Sequence, residues 1–218
     1  MNGRIKLSYR SYKTLTEEEQ EMVMIFKKLV VGFIAANCYI IGSEATKEGM
    51  IIDPGDEPEK ILKAVKELGL KIKLIVLTHH HDDHVGAAQQ VKKATGATLV
   101  AHTDAEKEVP SYESPLHLDN TLKGGDVIDI GDLHFTVIHT PGHSMSGISI
   151  VGEGVVFTGD TLFNFGIGRY DLIDGDYRQL MDGIRNKLLN LPPETVVHPG
   201  HGPDSTIATE KRANPFLK

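Results

Sequence analysis

Residues 78–84, with the sequence THHHDDH, constrain this chain more than any other stretch. They follow an apolar run at 74–77 and precede a helical pattern that begins at Val85, which predicts a loop between a buried strand and a helix. Open sheets place their binding residues at such junctions. Four side chains of this loop form the pattern H-x-H-x-D-H: His79, His81, Asp83 and His84. Imidazole and carboxylate together suit zinc, iron or manganese.

The spacing of these residues is specific. The chain has 11 histidines, and a shuffled chain of the same composition would contain the pattern roughly once in five hundred times, a low false-positive risk for a motif. His79 and His81 can point toward one ion because they are two apart on extended backbone. Asp83 and His84, at the turn into the helix, can hold a second ion. A histidine-rich surface loop without metal is the weaker interpretation.

Composition bounds the class of protein. With 218 residues, 40% of them hydrophobic, the chain suits one large domain or two small halves with a proper core. A net charge of -7 without a long basic run argues against nucleic acid as the main partner. The single cysteine, Cys38, permits no disulfide within the chain and is predicted to be a buried core thiol. We expect a cytoplasmic protein, because no signal-peptide or membrane-spanning pattern is recognisable.

The pattern of apolar residues predicts two successive halves of similar order. Residues 1–23 are predicted to be an extension outside the core, partly disordered or with a short helix around Thr16 to Met22. In the first half, strands are predicted at 25–31, 38–41, 50–52, 74–77 and 98–101, and helices at 57–68 and 86–94. In the second half, strands are predicted at 127–130, 135–139, 148–151, 155–158 and 195–197, and helices at 177–189 and 205–212.

Two halves of this order predict an α/β protein in which two sheets pack face to face with helices outside, a four-layer αββα sandwich. The intervening segment Thr103 to Asn120 contains Pro110 and Pro115 and is predicted to be irregular, a candidate substrate loop.

Three further strand ends carry residues that could complete a metal site. His143 lies on a Pro-Gly turn after the strand that ends at His139, Asp160 follows the strand at 155–158, and His201 follows the strand at 195–197. Strand ends at one rim of a sheet converge in space, so we expect these side chains to approach the H-x-H-x-D-H loop.

H-x-H-x-D-H, then P-G-H, G-D and G-H in that order, resembles the metallo-β-lactamase superfamily of hydrolases. The match runs from about Ile25 to the end, so we divide the chain into an extension, 1–23, and a domain of the metallo-β-lactamase fold, 24–218. The resemblance implies two divalent metal ions, most simply zinc, with iron or manganese as alternatives. It assigns His79, His81 and His143 to the first ion and Asp83, His84 and His201 to the second, with Asp160 bridging. His198 is the histidine most easily mistaken for a ligand, because it lies close to His201. Five other histidines also fall outside the ligand positions: His80, His102, His117, His134 and His139.

Further motifs resemble the short glyoxalase II-like branch, including Asn37-Cys38-Tyr39, Asp53-Pro54-Gly55 and Ile167-Gly168-Arg169. The resemblance implies hydrolysis of a thioester such as S-lactoylglutathione by a hydroxide bridging two metal ions, with Asp83 and Asp160 as catalytic residues. Full glyoxalase II enzymes bind glutathione with a helical C-terminal domain, and this chain stops soon after His201, so the thiol carrier stays open.

Alternatives remain for the chemistry and for the substrate contacts. A mononuclear iron persulfide dioxygenase would use the same ligands, although such enzymes typically carry Cys where Ile167 stands. A lactone or other ester hydrolase is a third possibility, whereas true β-lactamases generally lack the bridging Asp. Arg169 is predicted either to bind a substrate carboxylate or to pair with Asp171 or Asp174. Tyr170 is predicted to contact substrate or to pack.

Overall fold

The computed structural model describes residues 3–6, 23–106 and 117–218. Within these residues, the first sheet has seven strands in chain order: β1 (Gly3–Lys6), β2 (Val23–Val31), β3 (Ala36–Ser43), β4 (Glu48–Ile52), β5 (Lys71–Val76), β6 (Thr98–His102) and β7 (Asn120–Leu122). Strands β1 to β4 are antiparallel, and β4 to β7 are parallel.

The second sheet has six strands among the described residues: β8 (Val127–Ile130), β9 (Leu133–His139), β10 (Ile148–Gly152), β11 (Val155–Gly159), β14 (Val196–Pro199) and β15 (Ser205–Thr206). Their spatial order is β15-β14-β11-β10-β9-β8, and β14 lies parallel to β11. A separate short hairpin is formed by β12 (Leu162–Phe163) and β13 (Gly166–Ile167).

Helices cover the outer faces of the two sheets. They are α1 (Pro58–Leu68), α2 (Asp82–Val85), α3 (Ala88–Thr95), α4 (Tyr177–Asp182) and α5 (Ile207–Ala213). A π-helical turn, Gly183–Lys187, continues α4, and 3₁₀ turns occur at Thr103–Glu106, Leu188–Asn190 and Pro215–Leu217. Among the residues that the structure describes, no helix is long and apolar enough to cross a bilayer.

Alternation along the strands divides the core into three layers. On β3, Cys38 and Ile40 face the layer under α1 and α3, whereas Tyr39 and Ile41 face the layer between the two sheets. On β11, Phe157 faces the same central layer, while its neighbour Val156 faces the layer under α4 and α5. Both faces of these strands are buried, so they read in the sequence as continuous apolar runs.

The predicted αββα sandwich is confirmed, and the differences are local. The predicted helix at 86–94 is observed as α3, which begins at Ala88, and a separate helix of four residues, α2, was not predicted and ends at Val85. Half of the metal-binding motif therefore lies on a helical turn. The predicted helix at 177–189 changes pitch at Gly183, and the predicted start of the last helix, Ser205, belongs to strand β15.

The predicted extension is described only over Gly3–Lys6 and at Val23. Gly3–Lys6 pairs antiparallel with β2 at the edge of the first sheet, so the chain adds a strand there instead of leaving the fold. The helix expected around Thr16 to Met22 lies outside the described residues, as does 107–116 of the candidate substrate loop. The division into 1–23 and 24–218 stays a prediction.

Candidate metal centre

The structure brings all seven predicted ligand residues to one rim of the sandwich. His79 and His81 follow β5, and α2 carries Asp83 and His84. The second sheet supplies the other three from segments that follow β9, β11 and β14: His143, Asp160 and His201. The two sheets therefore contribute to the same site, as the convergence of strand ends predicted.

Three histidines form the first group of possible ligands. His79, His81 and His143 each offer a donor atom within 4.8 Å of the others. The Nδ1 of His81 and the Nε2 of His143 are 2.9 Å apart, and the ring of His79 lies edge-on to both. Three imidazoles that converge in this way can hold one divalent ion.

Asp83, His84 and His201 form the second group, with donor atoms also within 4.8 Å of one another. The Nε2 atoms of His84 and His201 are 3.2 Å apart, and Asp83 Oδ2 lies 3.1 Å from His201 Nε2. One carboxylate and two imidazoles can hold a second ion.

Asp160 lies between the two groups. Its Oδ2 is 3.6 Å from His143 Nε2 in the first group and 3.6 Å from His201 Nε2 in the second, and its Oδ1 is 3.5 Å from His84 Nε2. A single carboxylate is thus in reach of ligands for both ions.

The buried carboxylate of Asp53 orients a ligand from each group. It accepts from Thr78 N–H at 2.7 Å and from the Thr78 hydroxyl at 2.6 Å, and it lies 3.1 Å from His84 Nδ1. Because the hydroxyl donates to Asp53, it can only accept from His79 Nδ1, 3.0 Å away. In their neutral forms, both imidazoles therefore carry their proton on Nδ1 and turn a lone pair on Nε2 toward the centre.

Sequence reasoning missed this role of Asp53 and Thr78. The motif Asp53-Pro54-Gly55 contributes to the resemblance but predicts no contact with the ligands. Asp53 stands at the carboxyl end of β4, and β4 pairs in parallel with β5, which leads into the H-x-H-x-D-H motif. The rule that identified His143 and Asp160 would have placed Asp53 at the same rim, but it does not predict which side chains Asp53 contacts.

Two further contacts fix ligands from the second sheet. His143 Nδ1 donates to the carbonyl of Arg169 at 2.9 Å, which leaves Nε2 for the centre. The turn that carries His201 is held by Asn37 of β3, whose side-chain amide donates to the carbonyls of Pro199 and Gly202 at 2.8 and 3.0 Å.

Two histidines of the first group, His79 and His81, have lowered pKa values that favour the neutral form. Burial lowers the pKa of His79 well below its usual value, and the neighbouring imidazoles lower it further. Burial, and then the charge of His143, lower the pKa of His81 to about 4. These two side chains are therefore neutral imidazoles at neutral pH and can bind an ion without losing a proton.

In the second group, the pKa values of the histidines are shifted in the opposite direction. Burial opposes protonation of His84, but the carboxylates of Asp160 and Asp53 raise its pKa to about 9. Partial burial likewise opposes a charge on His201, but the hydrogen bond to Asp83 and the charge of Asp160 raise its pKa. Asp83 resists ionisation through burial, yet its partners His201 and His84 lower its pKa to about 2.

Two buried atoms test whether the residues fit a metal. His79 Nε2 and Asp160 Oδ1 are shielded from solvent and have no hydrogen-bond partner among the residues described. Buried polar atoms are almost always paired, so such atoms call for an explanation. Both point into the space between the ligand groups, and a cation there would satisfy them. The donor set and these atoms fit a dinuclear site.

The remaining histidines belong to neither of the two ligand groups, although the ring of His80 lies 4.7 Å from that of His81. His198, beside the true candidate His201, is buried with its ring stacked on Phe26 at 4.6 Å and its Nδ1 3.2 Å from Asp204. His134 pairs with Asp129 at 2.7 Å on the surface. His102 and His139 stack on each other at 4.0 Å, and His80 Nε2 is 3.8 Å from Asp174. Cys38 is fully buried, and burial raises the pKa of its thiol, as expected of a core cysteine.

The two predicted substrate-binding residues contact other side chains. Arg169 forms a two-pronged ion pair with Asp171, at 3.0 and 3.1 Å, on the surface. Tyr170 packs edge to face on Tyr177 with ring centroids 4.9 Å apart. Contact of either residue with substrate stays a prediction.

The chain belongs to the metallo-beta-lactamase superfamily, whose sequence model matches residues 31–201. It is 37% identical over 196 residues to hydroxyacylglutathione hydrolase GloC of Haemophilus influenzae, covering 83% of this chain and 92% of that protein. Among solved structures, it resembles the BLEG-1 B3 metallo-beta-lactamase, with a TM-score of 0.83, 37% identity and coverage of 89% and 100% of the two chains. It also resembles TTHA1623 in a di-iron-bound form, with a TM-score of 0.78, 36% identity and coverage of 88% and 100%.

The pKa values predict that metal loading depends on pH. At neutral pH without metal, His84 (pKa about 9) is a cation, so the second ion must displace one of its two ring protons. His79 and His81 are neutral, so they bind an ion without releasing a proton. Below pH 9, loading of the second ion should therefore strengthen about tenfold per pH unit for each proton displaced, and more steeply than loading of the first. Competition with a chelating dye between pH 6 and 9 measures this. Identical slopes for the two ions would contradict the assignment.

Asp53→Asn should weaken metal binding about 10- to 100-fold with little change in shape. The new amide group would donate either to His84 Nδ1 or to the Thr78 hydroxyl, which contacts His79. Either contact favours the tautomer of that histidine with its proton on Nε2, the atom that would bind the metal. Calorimetric titration of the metal-free protein measures the loss. Asp129→Asn is the matched control, since it removes a carboxylate from a surface contact with His134 Nδ1 and should leave metal affinity unchanged.

Proposed function

We propose that this protein is a metal-dependent thioester hydrolase of the glyoxalase II type, acting on a thioester such as S-lactoylglutathione. The observation that carries the proposal is Asp160, which lies within 3.6 Å of candidate ligands from both groups and so supports a site for two ions. The similarity to a hydroxyacylglutathione hydrolase at 37% identity supports the thioester as substrate.

In this proposal, each side chain of the centre has a distinct role. His79, His81 and His143 would hold one ion, Asp83, His84 and His201 the other, and Asp160 would bridge them. Two such ions would supply a Lewis acid for the carbonyl and would lower the pKa of a bound water from 15.7 toward roughly 7. Zinc suits the donor set, and the di-iron form of TTHA1623 makes iron the principal competitor.

The chain's own carboxylates position the water and the substrate. Asp83 is ionised, with a pKa of about 2, and only half-buried, so it can accept a hydrogen bond from the attacking water and orient it toward the thioester carbonyl. Asp53 keeps the tautomers of His79 and His84 fixed while charge develops on the reacting carbonyl. Arg169 would reach a substrate carboxylate only by leaving Asp171, a change that costs little for an exposed ion pair.

A mononuclear iron persulfide dioxygenase is the second candidate. The observation that favours it is the unequal protonation of the two groups, since the neutral histidines His79 and His81 accept an ion more readily than the protonated His84. This enzyme would work with the first ion alone.

One preparation can distinguish the candidates. Metal content per chain would be measured together with turnover of S-lactoylglutathione, a lactone, a β-lactam and glutathione persulfide. The proposal expects about two ions per chain and thiol release from the thioester as the fastest reaction. Oxygen uptake with the persulfide at one iron per chain would establish the dioxygenase instead, and faster opening of a lactone or β-lactam would identify an ester or lactam hydrolase.

A further inference from the structure

A cleft of about 570 Å³ opens beside the metal centre. Its lining includes His81 and Asp83 of the two ligand groups, so a substrate whose reacting carbonyl sits at the centre can place its remaining atoms here. Clefts of this size suit small organic ligands. The chemistry of the lining therefore decides which thioesters fit.

One wall of the cleft is apolar and exposed. The turn between β2 and β3 supplies Phe33, which is 96% exposed, and Ile34, which is 51% exposed, while Val31 and Leu172 also line the cleft. A phenylalanine with almost its whole surface in water gains from covering by an apolar ligand. This wall favours hydrocarbon or aromatic atoms in the substrate.

Among the described residues that line the cleft, the aspartates are the charged groups. Asp56, Asp82 and Asp83 line it, and the lining contains no lysine or arginine among the described residues. Even two divalent ions, with four positive charges, are outnumbered by the five carboxylates of the cleft and centre: Asp53, Asp56, Asp82, Asp83 and Asp160. Asp56 and Asp82, which belong to neither ligand group, disfavour an anion in the part of the cleft that lies away from the ions.

The basic side chains beside the site already have acidic partners. Lys60, which donates to the Val30 carbonyl next to the cleft wall, pairs with Glu57 at 3.0 Å. Lys28, on the side of His201, pairs with Asp204 at 3.0 Å. Arg169 pairs with Asp171 through two nitrogens. A substrate carboxylate would have to compete with each of these partners.

We propose that the thiol carrier of the natural thioester is apolar and either uncharged or cationic, and is not held through carboxylates as glutathione would be. Asp56 and Phe33 are then the residues that determine specificity. This inference rests on the proposed thioester hydrolase activity and deepens it by naming the substrate class.

Three lactoyl thioesters that differ in the charge of the thiol test the inference. Their thiols are 3-mercaptopropionate, its isosteric amide, and 2-(dimethylamino)ethanethiol, whose tertiary amine is cationic and cannot capture the acyl group. Thiol release gives kcat/KM, which is divided by the uncatalysed rate of each compound. We expect the amide and the amine to be favoured over the carboxylate by about fivefold or more, and we expect this preference to shrink as salt is added.

Variants locate the preference in the cleft. Asp56→Asn should narrow the difference between the amine and the carboxylate, and Asp56→Lys should narrow it further or reverse it. Glu67→Gln makes the same change of charge as Asp56→Asn on the exposed face of α1 and should leave the ratio unchanged. Phe33→Ala should raise KM for all three compounds with kcat nearly constant, while Val127→Ala, an exposed apolar residue of β8, should change neither.

The outcomes separate the two proposals. Turnover of all three compounds with the carboxylate equal or preferred would overturn the inference and leave the thioester hydrolase standing. A ratio that does not respond to Asp56→Asn or Asp56→Lys would also overturn it. If the protein hydrolysed neither these three compounds nor S-lactoylglutathione, the hydrolase and the inference would be overturned together.

Discussion

Replacing Asp160 by alanine is expected to leave no more than one tightly bound metal ion per chain and to lower kcat about 10²- to 10³-fold, the cost of losing a major electrostatic contact in a reacting site. The physical reason is its position, since this carboxylate approaches His84, His143 and His201 and so lies between the two ligand sets. Its loss leaves Asp83 and Asp53 as the carboxylates beside these imidazoles, and both of them contact the second set. Elemental analysis of the purified variant and thioester turnover measure the two effects.

Asp182→Ala is the control for this experiment, because it removes a carboxylate from the exposed surface of α4. It should retain two ions and full activity. An Asp160→Ala protein that kept both ions and normal turnover would refute the bridging role.

Gly55→Ala is expected to destabilise the fold by about 2–4 kcal/mol, lowering Tm by roughly 5–15 °C, and to remove most of the activity. A methyl group at Gly55 would lie 1.5 Å from the carbonyl oxygen and 2.4 Å from the carbonyl carbon of Asp83. Both are backbone atoms, so no side-chain rotation can relieve the overlap, and α2 must move away from the loop after β4. Because α2 carries Asp83 and His84, that movement would also displace two ligands.

Gly183→Ala is a suitable control. The added methyl group would meet its nearest neighbour, Thr140, at 3.5 Å, an ordinary contact, and Gly183 lies in a helical turn where alanine is favoured. Thermal unfolding should place this variant within about 1 kcal/mol of the parent. If Gly55→Ala unfolded at the same temperature and bound metal normally, the close approach of α2 to the loop would be wrong.

The sandwich could be predicted because many of its strands have a clear hydrophobic pattern in the sequence. Those in the middle of each sheet, such as β3 and β11, are buried on both faces and so appear as continuous apolar runs. Shorter elements escaped prediction. β12 and β13 have two residues each, and α2 has four, too few to show a period; they exist because of contacts that the local sequence does not display.

The site was predictable to the extent that its residues stand at strand ends. His143, Asp160 and His201 each follow a predicted strand directly, so convergence at one rim was a matter of topology. The orienting contacts were not predictable, because they depend on which strands are neighbours: the carboxylate of Asp53 reaches Thr78 and His84 only because β4 lies beside β5. The same holds for Asn37 and the His201 turn.

The origin of the ligands also has a consequence for the durability of the folded protein. One sheet supplies the candidate ligands between His79 and His84, and the other supplies His143, Asp160 and His201. Any cation held by both sets would therefore link the two sheets. Since an ion that binds only the native chain stabilises it by about 2.7 kcal/mol at a hundred times its Kd, resistance to heat should follow the metal supply. Starvation for metal would then threaten this protein's survival as well as its catalysis.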